Sequence, residues 1–213
     1  MHIGLDFDNT LVTYDSLFFR LAQEQRFLPS ECVPPANPSK NWVRQVVRDW
    51  GGGEIAWQKI QAEVYGPRMS EALLMPGVSD FLSTATERGA RCFIISHKTT
   101  FARQDIRGEY NLHKAALDWM ESHDFFNRDG FNFSLEDIFF NPTRAGKIAQ
   151  IGRSSCDYFI DDLVEVLTEP GFPKQTRRLL LDPEGSAPPG PYRPMSSWAA
   201  IQRAIFGVHS IRS

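Results

Sequence analysis

The chain has 213 residues, of which 42% are hydrophobic and 23% charged, with a formal net charge of −3. That length and composition allow one α/β domain with an insertion and a sizeable core, and the mild acidity offers no general attraction to nucleic acid or to an anionic membrane. Neither is expected as a partner. No run of about 18 apolar residues could span a bilayer, and the opening residues lack the basic segment of a signal peptide. Cys32, Cys92 and Cys156 are odd in number and widely spaced, which suits reduced thiols in a cytoplasmic protein better than a disulfide framework or a zinc site.

The first predicted element is the apolar run Ile3 to Phe7, which delivers Asp6 and Asp8 before Asn9 and Thr10 break it with a turn signal. Alternate side chains of a strand share a face, so the two carboxylates are expected to point the same way. Such a pair is tolerable where a divalent cation neutralises it or one member is protonated, and both situations belong to chemical sites. Leu17, Phe18, Leu21 and Ala22 then recur at helical spacing, and a Pro-rich loop covers residues 34–38. Trp42, Val43, Val46, Val47 and Trp50 predict one apolar stripe of a helix ended by Gly51 to Gly53, and Ile55, Ile60 and Val64 mark another. No strand pattern stands out between about Thr13 and Leu74. This stretch is a small helical insertion, and Trp42, Trp50 and Trp57 are expected to pack between its helices in preference to stacking on substrate.

Pro76-Gly77 starts a helix carrying Val78, Phe81, Leu82 and Ala85, and Arg91 to Ser96 is a continuous apolar strand of the kind a parallel sheet buries on both faces. A polar loop follows between Phe101 and Asn111. Leu112, Ala115, Ala116, Trp119 and Met120 make the next helix, Ile138 to Phe140 a short strand, and Lys147 to Ile151 a short helix. Tyr158 to Ile160 is a strand ending, like the first, in two carboxylates, Asp161 and Asp162. The last predicted strand is Arg178 to Leu181, and a stiff Pro-rich connector over residues 187–194 leads to a final helix, Ser197 to Phe206. Alternating strands and helices predict a parallel sheet covered on both sides, with ligands bound at the carboxyl ends of its strands. Asp6, Asp8, Ser96, Asp161 and Asp162 all fall at such ends.

This ordered set resembles the haloacid dehalogenase-like superfamily, whose members are mostly magnesium-dependent phosphotransferases. Asp6-Phe7-Asp8-Asn9-Thr10 matches its first signature, Ser96 the second, a lysine the third and Asp161-Asp162 the fourth. The resemblance implies a three-layer Rossmann-like core over residues 1–13 and 75–213, with a helical cap, acting as a lid, over residues 14–74. It also implies a small phosphorylated substrate and Mg2+ as cofactor, and the small insertion with few clustered basic groups favours a sugar phosphate. Asp6 would be the nucleophile that forms an aspartyl phosphate, and Asp8 the general acid and base. Asp6, the backbone carbonyl of Asp8, and Asp162 or Asp161 would hold the metal, with Glu165 behind them. Thr10 would order the turn, and Ser96 would bind the phosphoryl oxygens; His97 beside it, unusual in this family, is a candidate substrate contact on its position alone. Lys147 precedes the fourth signature as expected, although at a short spacing, so Lys98 and Arg144 remain alternatives for the phosphate-balancing charge.

Overall fold

The computed structural model describes residues 1–50, 52–102 and 110–207; residues 103–109 of the expected polar loop lie outside the described residues. In chain order the elements are β1 (His2–Leu5), β2 (Val12–Thr13), α1 (Asp15–Glu24), α2 (Lys40–Trp50), α3 (Gly53–Tyr65), β3 (Leu73–Leu74), α4 (Val78–Glu87), β4 (Arg91–His97) and α5 (Leu112–Ser122). There follow β5 (Ile138–Asn141), α6 (Arg144–Arg153), β6 (Tyr158–Asp161), α7 (Val164–Leu167), β7 (Arg177–Leu181), β8 (Arg193–Met195) and α8 (Trp198–Phe206). They form two compact units, one of Met1–Leu11, Leu74–Lys98 and His123–Ser213, the other of Val12–Leu73 and Thr99–Ser122.

The first unit is built on a six-stranded parallel sheet in the order β5-β4-β1-β6-β7-β8. Its central strands, β1, β4 and β6, are apolar on both faces because helices cover both. Phe93, Ile95 and Phe159 point to one side, where they pack with Ile148 and Ile151 of α6 and Val166 and Leu167 of α7. The α4 and α8 helices contact each other, β4 and β8, and contribute nothing to that cluster, so they cover the opposite face. The expected Rossmann-like α/β architecture is therefore what forms. A side chain has no room at Gly4 of β1, where a Cβ would lie 2.5 Å from Phe159 Cδ2 and 2.9 Å from Cys156 Sγ. Replacing Gly4 by alanine is expected to cost about 1–3 kcal/mol of stability through overpacking, read as a lower urea midpoint at unchanged slope.

Two details depart from the sequence expectation. The connector before the last helix contains a sixth strand, β8, at the sheet edge next to β7; Pro194 within it is tolerable because an edge strand needs its N–H groups on one side only. Residues 12–13 and 73–74 also pair as a two-stranded ribbon, β2 with β3, too short to leave an alternation pattern.

The second unit is helical. Its core is aromatic: Trp57 stacks on Phe18 at 4.9 Å between ring centroids, and Tyr65 meets Tyr14 edge-on at 5.0 Å. Val43, Val47, Ile60 and Val64 are buried in the same unit. Trp57 packs as expected, whereas Trp50 is 75% exposed and Ile55 61% exposed, so neither belongs to the buried stripe assigned to it. Beside residues Val12–Leu73, the unit takes in Thr99–Ser122. Here α5 lies against α3 and the 3-10 turn Met69–Glu71, and Trp119 Nε1 donates to the Ala72 carbonyl at 2.9 Å. No helix among the described residues is long and apolar enough to cross a membrane.

Candidate active site

Three strands of the sheet end at one edge in chemically active side chains. Asp6 follows β1, where its backbone N–H donates to Ile160 O at 2.9 Å and continues the pairing with β6. The chain then turns sharply: Leu11 N–H donates to Phe7 O at 3.0 Å, and Asn9 takes a left-handed φ of 60°, a conformation asparagine adopts more readily than most residues. This turn re-aims the chain just after Asp8. It is anchored from the far end of the sequence by Trp198 on α8, whose Nε1 donates to the Thr10 carbonyl at 3.0 Å. Nothing in the sequence marks Trp198 as a site residue, since an aromatic on a helix face carries no local sign of a contact 188 positions away.

Asp161 closes β6, and Lys147 enters from the first turns of α6. Thr143 caps that helix by accepting from Gly146 N–H at 3.0 Å, so the lysine sits where the chain turns away from the sheet edge. The Lys147 ammonium lies 2.5 Å from Asp6 Oδ1 and 2.6 Å from Asp161 Oδ2, and all three residues are buried. Asp161 Oδ1 in turn accepts from Leu163 N–H at 2.8 Å, while Asp162 Oδ1 faces the Thr10 hydroxyl at 3.4 Å. The carboxylates of Asp6, Asp161 and Asp162 each offer one oxygen within 4.8 Å of the others.

Charge decides what such a cluster can hold. Among the described residues, three carboxylates face one ammonium, which leaves two negative charges in a largely buried setting where unpaired charge is expensive. A proton or a cation must offset them. Burial pushes the Asp6 carboxyl up to about 7 although Lys147 pulls it down, and Asp161 pushes it further up. Lys147 loses hydration too, yet Asp161 and Asp6 hold it above its ordinary value, so the ammonium stays charged and the excess rests on the acids. A hard, oxygen-only donor set carrying two surplus negative charges fits magnesium in both charge and ligand type.

The remaining expected residues fall into two groups. Asp8 stands outside the acid cluster and pairs with Lys98, whose Nζ lies 2.8 and 3.0 Å from its two carboxylate oxygens. Ser96 is buried on β4 beside Asn141, whose Nδ2 lies 3.4 Å from the Ser96 carbonyl. By contrast, the His97 ring is exposed and contacts the Pro142 carbonyl at 3.2 Å. Arg144 faces Glu169 at 3.7 Å and contacts none of the clustered acids. Glu165 is exposed on the four-residue helix α7. Of the three candidate cations, Lys147 is the one in contact with Asp6.

No protein-family model matches this chain, and no curated protein matches it either. Solved structures do. A HAD-hydrolase from Bacillus subtilis, YfnB, described as bound to magnesium, superposes with a TM-score of 0.57 at 12% identity, covering 96% of this chain and 98% of that one. The chain has the haloacid dehalogenase-like fold. An L-2-haloacid dehalogenase shares that fold at a TM-score of 0.56 and 12% identity, over 96% and 97% of the two chains. A predicted phosphoglycolate phosphatase from Haemophilus somnus shares it at 0.53 and 15%, over 95% and 96%. Identities this low leave the chemistry of this haloacid dehalogenase-like fold to be argued from its own residues.

Proposed function

We propose that the protein is a hydrolase, specifically a magnesium-dependent phosphomonoesterase acting on a small phosphorylated metabolite through an aspartyl phosphate on Asp6. The observation that carries this reading is the pair of acids with separate partners: Asp6 on Lys147 within the acid cluster, and Asp8 on Lys98 outside it. This separation supports a role in charge and attack for one carboxylate and in proton transfer for the other. When bound by Asp6 and the Asp161-Asp162 pair, magnesium supplies positive charge against the phosphoryl oxygens. Both Asp161 oxygens already accept hydrogen bonds, from Lys147 and Leu163 N–H, which favours Asp162 as the direct ligand. Asp6 attacks phosphorus while Asp8 protonates the departing alcohol, and Asp8 then takes a proton from the water that hydrolyses the phosphorylated Asp6. Lys147 keeps its proton and steadies the charge on Asp6.

A dehalogenase of the same fold displaces halide with its first aspartate and needs neither a second acid nor a metal. The Asp8–Lys98 pair favours the phosphatase, and the two make opposite predictions in a chelator. Wild-type protein should release inorganic phosphate from members of a panel of sugar phosphates, nucleotides and small organic phosphates, with activity lost in EDTA and restored by magnesium. Release of halide from 2-haloacids that persists in EDTA, with no phosphate from any ester, would replace this reading by the other. Sugar phosphates head the panel because the helical insertion is small.

A further inference from the structure

We infer that Lys98 is the positioning residue for the Asp8 carboxyl group, acting through that acid and not on the phosphoryl oxygens of the substrate. The inference rests on the reading of Asp8 as the acid and base. The Lys98 side chain is 4% exposed while that of Asp8 is 21% exposed, so the acid lies toward solvent with the ammonium behind it. Contact with both carboxylate oxygens, at 2.8 and 3.0 Å, fixes the plane of the carboxyl group as well as its distance. A single hydrogen bond would leave that plane free to turn.

The lysine itself is held. Its backbone N–H donates to Asn141 O at 3.0 Å, continuing the β4–β5 pairing one step beyond His97 opposite Asn141. Its ammonium also stands 5.6 Å from the Phe7 ring centroid, within reach of a cation–π contact. The other buried lysine, Lys147, already contacts the nucleophile, so the two ammonium groups divide between the two acids. Proton bookkeeping is consistent with this division. When Asp8 carries its proton on one oxygen, the other still accepts from Nζ. That proton passes to the alcohol oxygen as its bond to phosphorus breaks and the Asp6–phosphorus bond forms. In the second step water gives a proton back to Asp8 as its oxygen bonds to phosphorus and the Asp6–phosphorus bond breaks. Lys98 neither gains nor loses a proton.

The test compares kcat/KM, which reports transfer to Asp6, for p-nitrophenyl phosphate and for the best alkyl phosphate of the panel. Wild type, Lys98→Met, Lys98→Arg, Asp8→Asn and the Asp8→Asn/Lys98→Met double variant are assayed. An aryl leaving group needs little protonation, whereas an alkoxide needs it badly, so Lys98→Met is expected to lose on the order of 100-fold on the alkyl ester, the low end for a proton-transfer group. On the aryl ester the loss should stay within about threefold, and that residual activity also reports a folded protein. Lys98→Arg should recover part of the alkyl activity, and in the Asp8→Asn background Lys98→Met should cost nothing further. Equal losses on both esters, or a further loss without Asp8, would overturn the inference and make Lys98 a phosphate ligand or a structural residue. If instead Asp8→Asn is as active as wild type on the alkyl ester, the role given to Asp8 fails, and this one with it.

Discussion

Replacing Asp6 by asparagine is expected to remove turnover, with kcat falling on the order of 10⁵- to 10⁶-fold, the scale seen when a covalent nucleophile is deleted. The fold should survive the change. Lys147 keeps its contact with Asp161 at 2.6 Å, and one of three crowded carboxylates becomes neutral, so thermal unfolding in EDTA should be unchanged or raised. The pH dependence gives the sign. With its carboxyl pushed from 3.8 up to about 7 by burial, Asp6 binds a proton more tightly folded than unfolded. The stability it contributes is therefore full below pH 3.8 and lost as pH rises through about 7. Asparagine has no such loss. In metal-free urea unfolding the variant should gain on wild type across that window, by at most about 4 kcal/mol. A variant that loses ground with rising pH would contradict the burial of an uncompensated acid at position 6.

Replacing Lys147 by methionine should do the opposite to stability. It removes the ammonium that lies between Asp6 and Asp161, in a cluster of three acids within 4.8 Å of one another. Breaking a buried pair from one side costs about 3–5 kcal/mol, which for a chain of this size lowers Tm by about 10 °C. Two further measurements identify the cause. Adding magnesium should recover part of the loss, because a divalent cation can take over the charge. Combining Lys147→Met with Asp6→Asn should cost less than the sum of the separate effects, since fewer unpaired charges remain. A Tm within a degree or two of wild type in EDTA would mean that Lys147 is not the counter-charge of this cluster.

What the sequence revealed and what it concealed divide along a physical line. Strands such as Arg91 to Ser96 and Tyr158 to Ile160 have apolar centres because helices cover both faces of the sheet, so their positions and their polar ends were readable. Asp6 and Asp161 could be placed at one edge from topology alone, whereas Lys147 was one of three candidate cations, with Lys98 and Arg144, that the sequence left open. The pairing of Lys98 with Asp8, 90 positions away, was not readable. It depends on which side of β4 the lysine leaves, and no local pattern encodes that. The same limit applies to Trp198, whose indole N–H reaches the turn after Asp8 from the last helix. The membership of α5 escaped for another reason: an amphipathic helix shows the same periodicity whichever surface it buries against, a sheet or, as here, other helices. Trp50 misled because a tryptophan at helical spacing looks buried, yet it ends its helix and points outward. Edge strand β8 was hidden by Pro194, which normally argues against a strand.

The central claim is that a phosphoryl group passes through Asp6. Rapid acid quench of enzyme turning over p-nitrophenyl phosphate with magnesium, followed by borohydride reduction and peptide mass spectrometry, tests it directly, because an aspartyl phosphate is reduced to homoserine. The account predicts homoserine at position 6 in wild type and none in Asp6→Asn. Phosphate released steadily with no homoserine at position 6, or with the modified residue elsewhere in the chain, would contradict it.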